Sequence, residues 1–231
     1  MKSLQFKITL QDIEPPIWRR ILVPENYSFW DLHVAIQDAM GWTDSHLHGF
    51  ETKRYSRTRI GIPSSDEFNV KTRAGWNIKV KDNFDKVNKK MLYTYDFGDS
   101  WEHEIVFEKI VEKEIKKPEC LDGARACPPE DCGGTGGYEN FCKIMKSKKG
   151  KEYQEMKKWY EGDYDPEAFD PLKVKFNDPR KRLDVGKRSA KAWYIIKNPG
   201  YIISSIPNPE EQWKPRHANN IFKPSKAAAK Q

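Results

Sequence analysis

An α+β fold, a mainly antiparallel sheet packed with a few helices, is what this sequence predicts, and three observations lead there. Period-two alternation of apolar and polar residues appears near the N-terminus and again around residue 100. One amphipathic helix with its own start and stop signals lies between. Further helical patterns come only after a long loop rich in Gly and Pro, so strands and helices do not alternate as a parallel sheet requires.

The elements follow in order. LQFKITL (Leu4 to Leu10) alternates as a half-buried strand, and after the break at Pro15 and Pro16 a second strand runs from Ile17 to Val23. In SFWDLHVAIQDAMGW, Ser28 is a helix N-cap with Asp31 at capping-box distance. Leu32, Ala35, Ile36, Ala39 and Met40 form one apolar face, and Gly41 stops the helix. SHLHGF alternates again, with His46, His48 and Phe50 expected on one side. Residues 56–90 are polar and basic, with strand signals around Trp76 to Val80. YTYDFGDSWEHEIVFE reads as a hairpin: Met91 to Tyr95, a Gly-Asp turn, then Trp101, His103, Ile105 and Phe107 on a face opposite Glu102, Glu104 and Glu108. The loop through CLDGARACPPEDCGGTGG precedes two helices marked by Tyr138, Phe141 and Met145, and by Tyr153, Met156, Trp159 and Tyr160.

Of 231 residues, 37% are hydrophobic and 13% aromatic, enough for a substantial core. No apolar run approaches the roughly 18 residues of a membrane span, and a strand pattern begins at once, so a cytoplasmic protein with no membrane partner is expected. The net charge of +7 is uneven: from Lys173 onward 14 Lys/Arg face 4 Asp/Glu, leaving 27 against 30 in the first 172 residues. A domain over 1–183 followed by a basic extension over 184–231, a short hairpin (AWYII, KNPG, YIISSI) and then a disordered tail, accounts for that split. A basic end suits an anionic partner, most simply nucleic acid, and equally suits a solvated tail.

PPIWRRILVP, DLHVAIQDAMGWTDSHLHGF, YTYDFGDSWEHEI, CLDGARACPPEDCGGTGGY and DPEAFD together resemble the Ri-plasmid open-reading-frame-three-like family over roughly Met1 to Leu183. The resemblance implies an α+β fold and an association with mobile elements. It implies no mechanism: some members are labelled resolvases, and no resolvase-like serine centre is present here.

Several motifs have ordinary explanations. CGGTGGY is neither a P-loop nor a dinucleotide fingerprint, and a tight loop with positive φ explains its glycines. Asp-Phe-Gly lacks the rest of a kinase, and G-x-S-x-G is absent. The cysteines Cys120, Cys127, Cys132 and Cys142 are spaced C-x6-C-x4-C-x9-C, wider than zinc knuckles except between Cys127 and Cys132. Packing is the ordinary reading for them.

What remains is a candidate cleft. His46, His48 and His103, with Cys127 and Cys132, are candidate ligands for zinc or another divalent metal. Asp96, Asp99, Glu102 and His103 are candidate acid–base groups, and Arg19, Arg20 and the CPPEDCGG loop are expected beside them. Lys148, Lys149, Arg180, Lys181, Arg182, Lys187 and Arg188 form basic runs suited to nucleic acid, with Trp193 and Tyr194 available to stack. The first functional reading is a non-enzymatic binding module for nucleic acid or another protein. The alternative is a metal-dependent hydrolytic enzyme in the His/Asp/Cys cleft.

Overall fold

A computed structural model describes residues 2–63 and 70–183. Strand β1 (Ser3–Leu10) pairs antiparallel with β2 (Trp18–Pro24), and helix α1 (Phe29–Met40) follows. Strands β3 (His48–Glu51), β4 (Thr58–Gly61), β5 (Lys71–Ala74), β6 (Lys90–Tyr95), β7 (Trp101–Val111) and β8 (Glu119–Ala124) complete the sheet. Helices α2 (Gly134–Ser147) and α3 (Lys151–Tyr160) then pack on each other. The eight strands are ordered β5-β4-β3-β6-β7-β1-β2-β8, and every neighbouring pair is antiparallel except β4–β5. The α+β expectation, with a mainly antiparallel sheet, is met.

The sheet is one-sided, as alternation demands. Leu4, Phe6 and Ile8 of β1 stand across from Val23, Ile21 and Arg19 of β2, and from Ile110, Phe107 and Ile105 of β7. Apart from Ile110, which is exposed, those side chains, with Met91, Tyr93 and Tyr95 of β6, form a buried face covered by α1. The opposite face is a lattice of charges in which Arg20 and Gln5 both bind Glu108, and Lys90 binds Glu104.

Helix α1 begins where its sequence says. Ser28 accepts from the Asp31 amide while the Asp31 carboxylate accepts from the Ser28 amide, a complete capping box, and Gly41 closes the helix with φ +100°. Beyond it, Trp42 donates its indole N–H to the Pro128 carbonyl, 3.0 Å away. The Arg19 guanidinium stacks on Phe169 at 3.7 Å. These contacts fasten the chain from Ala126 to Phe169 over the same buried face.

Two local expectations change. The loop before α2 contains β8, an edge strand on β2 too exposed to show alternation. The strand signal at Trp76 to Val80 falls on a 3-10 turn, Gly75–Asn77, and a single bridge between Ser28 and Lys79. The hairpin turn falls on Phe97 to Ser100, with the Gly-Asp pair at its centre, as expected. Asp96 (φ +53°) and Ser100 (φ +56°) take the left-handed positions, and Asp96 Oδ1 accepts from the Gly98 amide.

Candidate functional site

Phe29, His33 and Gln37 lie at successive i+4 positions of α1 and carry its aromatic and polar edge down onto β3 and β6. His33 is fully buried. Its Nδ1 meets Tyr93 Oη at 2.9 Å, and Gln37 donates its amide N–H to the same oxygen at 2.9 Å. Its Nε2 meets Asp44 Oδ1 at 2.8 Å. His48, the first residue of β3, lies flat against His33 with ring centroids 3.4 Å apart and planes 9° from parallel. Trp30 flanks both rings. Among the described residues neither nitrogen of His48 has a hydrogen-bond partner. Burial, with a smaller contribution from His33, holds the His48 pKa well below the usual imidazole range, so the ring is neutral.

Arg182 closes this cluster from outside. It donates to Asp38 Oδ1 at 2.9 Å and stands 3.6 Å from Asp44 Oδ2, while Asn177 binds both oxygens of Asp38. The chain just before residue 184 is thereby tied to α1.

A second cluster lies at the surface. His46 Nε2 is 2.9 Å from Asp131 Oδ1 and 3.7 Å from Asp96 Oδ2. Beneath it, Glu130 accepts from the Thr43 amide and from Tyr95 Oη, joining the CPPEDCGG loop to the α1–β3 link. Burial raises the Glu130 pKa. Asp99 Oδ2 accepts from the Gly133 amide at 3.0 Å. Gly133 and Gly134 have positive φ, and a Cβ on Gly137 would sit 1.8 Å from the Cys132 carbonyl. The glycines of CGGTGGY therefore serve the loop itself.

The sequence-derived cleft is thus partly assembled and partly divided. His46, Asp96, Asp99 and the CPPEDCGG loop come together. His46 and His48 do not, because β3 begins only at His48 and alternation does not reach back across the irregular link containing Asp44 (φ +62°). His103 sits on β7 under Trp42, ring edge to face at 5.3 Å, in neither cluster. Burial lowers its pKa to about 4. Glu102 faces the other side of the sheet and pairs with Arg54. Arg19 is buried and Arg20 is on the charged face, so neither joins the cleft.

Cys127 and Cys132 pack against the core, and burial pushes the Cys132 thiol up to about 12 and the Cys127 thiol higher still. Among the described residues no cysteine belongs to a group with metal-ligand spacing. Lys148 and Lys149 are exposed between α2 and α3, and Arg180 and Lys181 are exposed near residue 183. Lys187 and Arg188, like Trp193 and Tyr194, lie outside the described residues.

Two groupings of His and Asp therefore bring three donor atoms within 4.8 Å of one another: His33, Asp44 and His48, buried, and His46, Asp96 and Asp131, open to solvent. Sequence reasoning missed His33, Asp44 and Asp131. The i+4 row through Phe29 and Gln37 was the available signal for His33.

The plasmid pRiA4b ORF-3-like protein family matches residues 2–173. The chain belongs to that family. Within reach of it, the uncharacterized protein y4hQ of Sinorhizobium fredii is 34% identical over 167 residues, 71% of this chain and 84% of that protein. MM3350 of Methanosarcina mazei Go1, a protein of unknown function with a crystal structure, is 40% identical. It shares the fold with a TM-score of 0.66 over 76% of this chain and 98% of its own. Among the described residues, no helix is long and apolar enough to cross a membrane.

Proposed function

We propose that this member of the family is a cytoplasmic, non-enzymatic binding module whose partner is nucleic acid. The observation that carries the reading is Tyr55. Its ring is 89% exposed and its backbone is left-handed at φ +59°, a conformation a bulky residue adopts at a cost. Around it stand Lys53 and Arg57, and the adjoining edge strand β5 contributes Lys71 and Arg73, all exposed. None of these four has an acidic partner within ion-pair distance among the described residues. Basic residues on an edge strand also deter strand-to-strand aggregation, which would explain Lys71 and Arg73 without a ligand. That role leaves the displayed aromatic ring unexplained, whereas a base stacking on Tyr55 with phosphates on its basic neighbours uses both. The excess of Lys and Arg after Lys173, and a family named for a plasmid reading frame, support the same reading.

Binding of a labelled oligonucleotide followed by fluorescence anisotropy tests it. About four phosphate contacts give a slope of log K against log salt near −3 for single strands and near −4 for duplex. Tyr55→Ala should weaken binding to a single strand without changing that slope. Absence of binding at 50 mM salt refutes the proposal.

The second reading is metal-dependent hydrolysis, and the observation in its favour is the open His46–Asp96–Asp131 group. One imidazole and two carboxylates with solvent at hand are a donor set for zinc or another divalent ion with free coordination positions. Cleavage of the same oligonucleotide that requires added Zn²⁺ or Mn²⁺ and vanishes in His46→Ala would establish it.

A further inference from the structure

The buried histidine pair carries an inference independent of either reading. We propose that His33, Asp44 and His48 form a structural site for a borderline divalent transition metal, zinc being its representative, that pins α1 to β3. His48 is 3% exposed and presents two ring nitrogens with no partner among the described residues, although buried polar groups nearly always have one. The nearest chemistry to satisfy it is a cation shared with neighbours already in place. His33 Nε2 and Asp44 Oδ1, with a His48 nitrogen, lie within 4.8 Å of one another. Two imidazoles and one carboxylate suit zinc, cobalt or nickel and do not suit magnesium or calcium, which take oxygen donors.

The rings stand 3.4 Å apart and 9° from parallel, so their in-plane lone pairs do not yet converge, and ligation requires His48 to turn out of the stack toward His33 Nε2 and Asp44; the rest of the surroundings fit. Imidazoles must be neutral to ligate, and His48 is held neutral by burial. His33 has an outer partner in Tyr93 Oη, itself fixed by Gln37, which orients the ring as ligating histidines require. Gln37 donates to Tyr93 Oη, so the phenol proton is free to reach His33 Nδ1, leaving the His33 proton on Nε2 facing Asp44. When a metal takes Nε2, His33 binds as the Nδ1–H tautomer: the Nε2 proton is exchanged for one on Nδ1, which is donated to Tyr93 Oη, and the imidazole stays neutral. Arg182 occupies only Oδ2 of Asp44, leaving Oδ1 for the ion. Asp44, in the irregular link after α1, is the most solvent-exposed of the three groups.

The full-length, untagged chain, stripped with a chelator and dialysed, is titrated with Zn²⁺ alone and with Co²⁺ alone. The expected result is one equivalent bound and a Tm rise of roughly 5–10 °C at a hundredfold excess over Kd. Visible cobalt bands of a low-coordinate site should accompany it. His48→Phe keeps an aromatic ring in the stack and loses no hydrogen bond, so it should fold normally while losing both the shift and the bands. His46→Ala should keep both. X-ray absorption of zinc-loaded wild-type protein should show two imidazole ligands, a reading that needs no variant. No shift in the wild type, retention of the shift in His48→Phe, or a single imidazole in the absorption spectrum overturns the proposal.

Discussion

Replacing Arg19 tests how the buried face is closed where α1 ends. Its guanidinium, 1% exposed, donates from Nε to the Ala39 carbonyl, from Nη1 to the Trp18 and Ala124 carbonyls, and from Nη2 to the Arg125 carbonyl, each at 2.8 Å. No carboxylate pairs with it among the described residues. One planar cation thus satisfies the last turn of α1, the start of β2 and the end of β8, while its flat side rests on Phe169. Hydrogen bonds from a charged group contribute about 1.5–3 kcal/mol each, and desolvating the cation costs several kcal/mol in return. In Arg19→Leu both disappear. The Arg125 and Ala124 carbonyls near the surface can rehydrate, whereas the Ala39 carbonyl at the helix end cannot. The net loss should be about 2–4 kcal/mol, a large share of the roughly 5–15 kcal/mol available to a domain. Arg19→Lys keeps the charge but has neither the planar fork nor the stacking surface, so it should do no better than leucine. Urea unfolding followed by far-UV circular dichroism should show midpoints lowered by about 1–2 M with the slope unchanged. A lysine variant within about 0.5 kcal/mol of wild type would refute the role assigned to the guanidinium plane.

Other outcomes follow from the same structure. His48 and His103 have folded pKa values below their unfolded ones, so the unfolded chain takes up protons first as pH falls. Stability should decline from pH about 6.5 toward 4, by up to about 1.4 kcal/mol per pH unit for each histidine. Glu130, raised by burial, acts in the opposite sense: its contribution is present at low pH and lost as pH rises through its folded value. It offsets at most one of the two protons, and urea midpoints across this range for wild type and His103→Phe measure the difference. With a pKa near 12 in place of an ordinary 9, Cys132 should react with a thiol reagent about a thousandfold more slowly than free cysteine at neutral pH. Stopped-flow labelling checks this. Ser28→Ala removes the N-cap of α1 and should cost about 1 kcal/mol in the same unfolding assay.

The parts of the fold legible in the sequence are those where one residue type answers to one force. Strands β1, β2 and β7 announce themselves because one face is buried and the other wet, and α1 because Ser28, Asp31 and Gly41 fix both ends. Strand β8, at the sheet edge, is nowhere more than half-buried, so no alternation marks it. The short β4–β5 pair lies among polar, basic residues that read as loop. At the site, the polar loop and the hairpin end do meet, as the density of Asp, Glu and Gly foretold. His33 and Asp44 escaped notice because a helical histidine beside an apolar stripe and an aspartate in a link carry no motif. Only the register of β3, which begins at His48, separates His46 from His48, and register is a tertiary property. Arg182, counted among the basic residues, is instead drawn into ion pairs with Asp38 and Asp44.

The most direct measurement compares the salt dependence of oligonucleotide binding for the wild-type chain, for Arg57→Ala/Arg73→Ala, and for the chain cut after Leu183. If nucleic acid is held by the β4–β5 edge and the basic extension, affinity falls steeply with salt in the wild type. The slope then shrinks by about two contacts in the double variant and further in the truncation. Equal slopes and affinities in all three would contradict the binding-module reading.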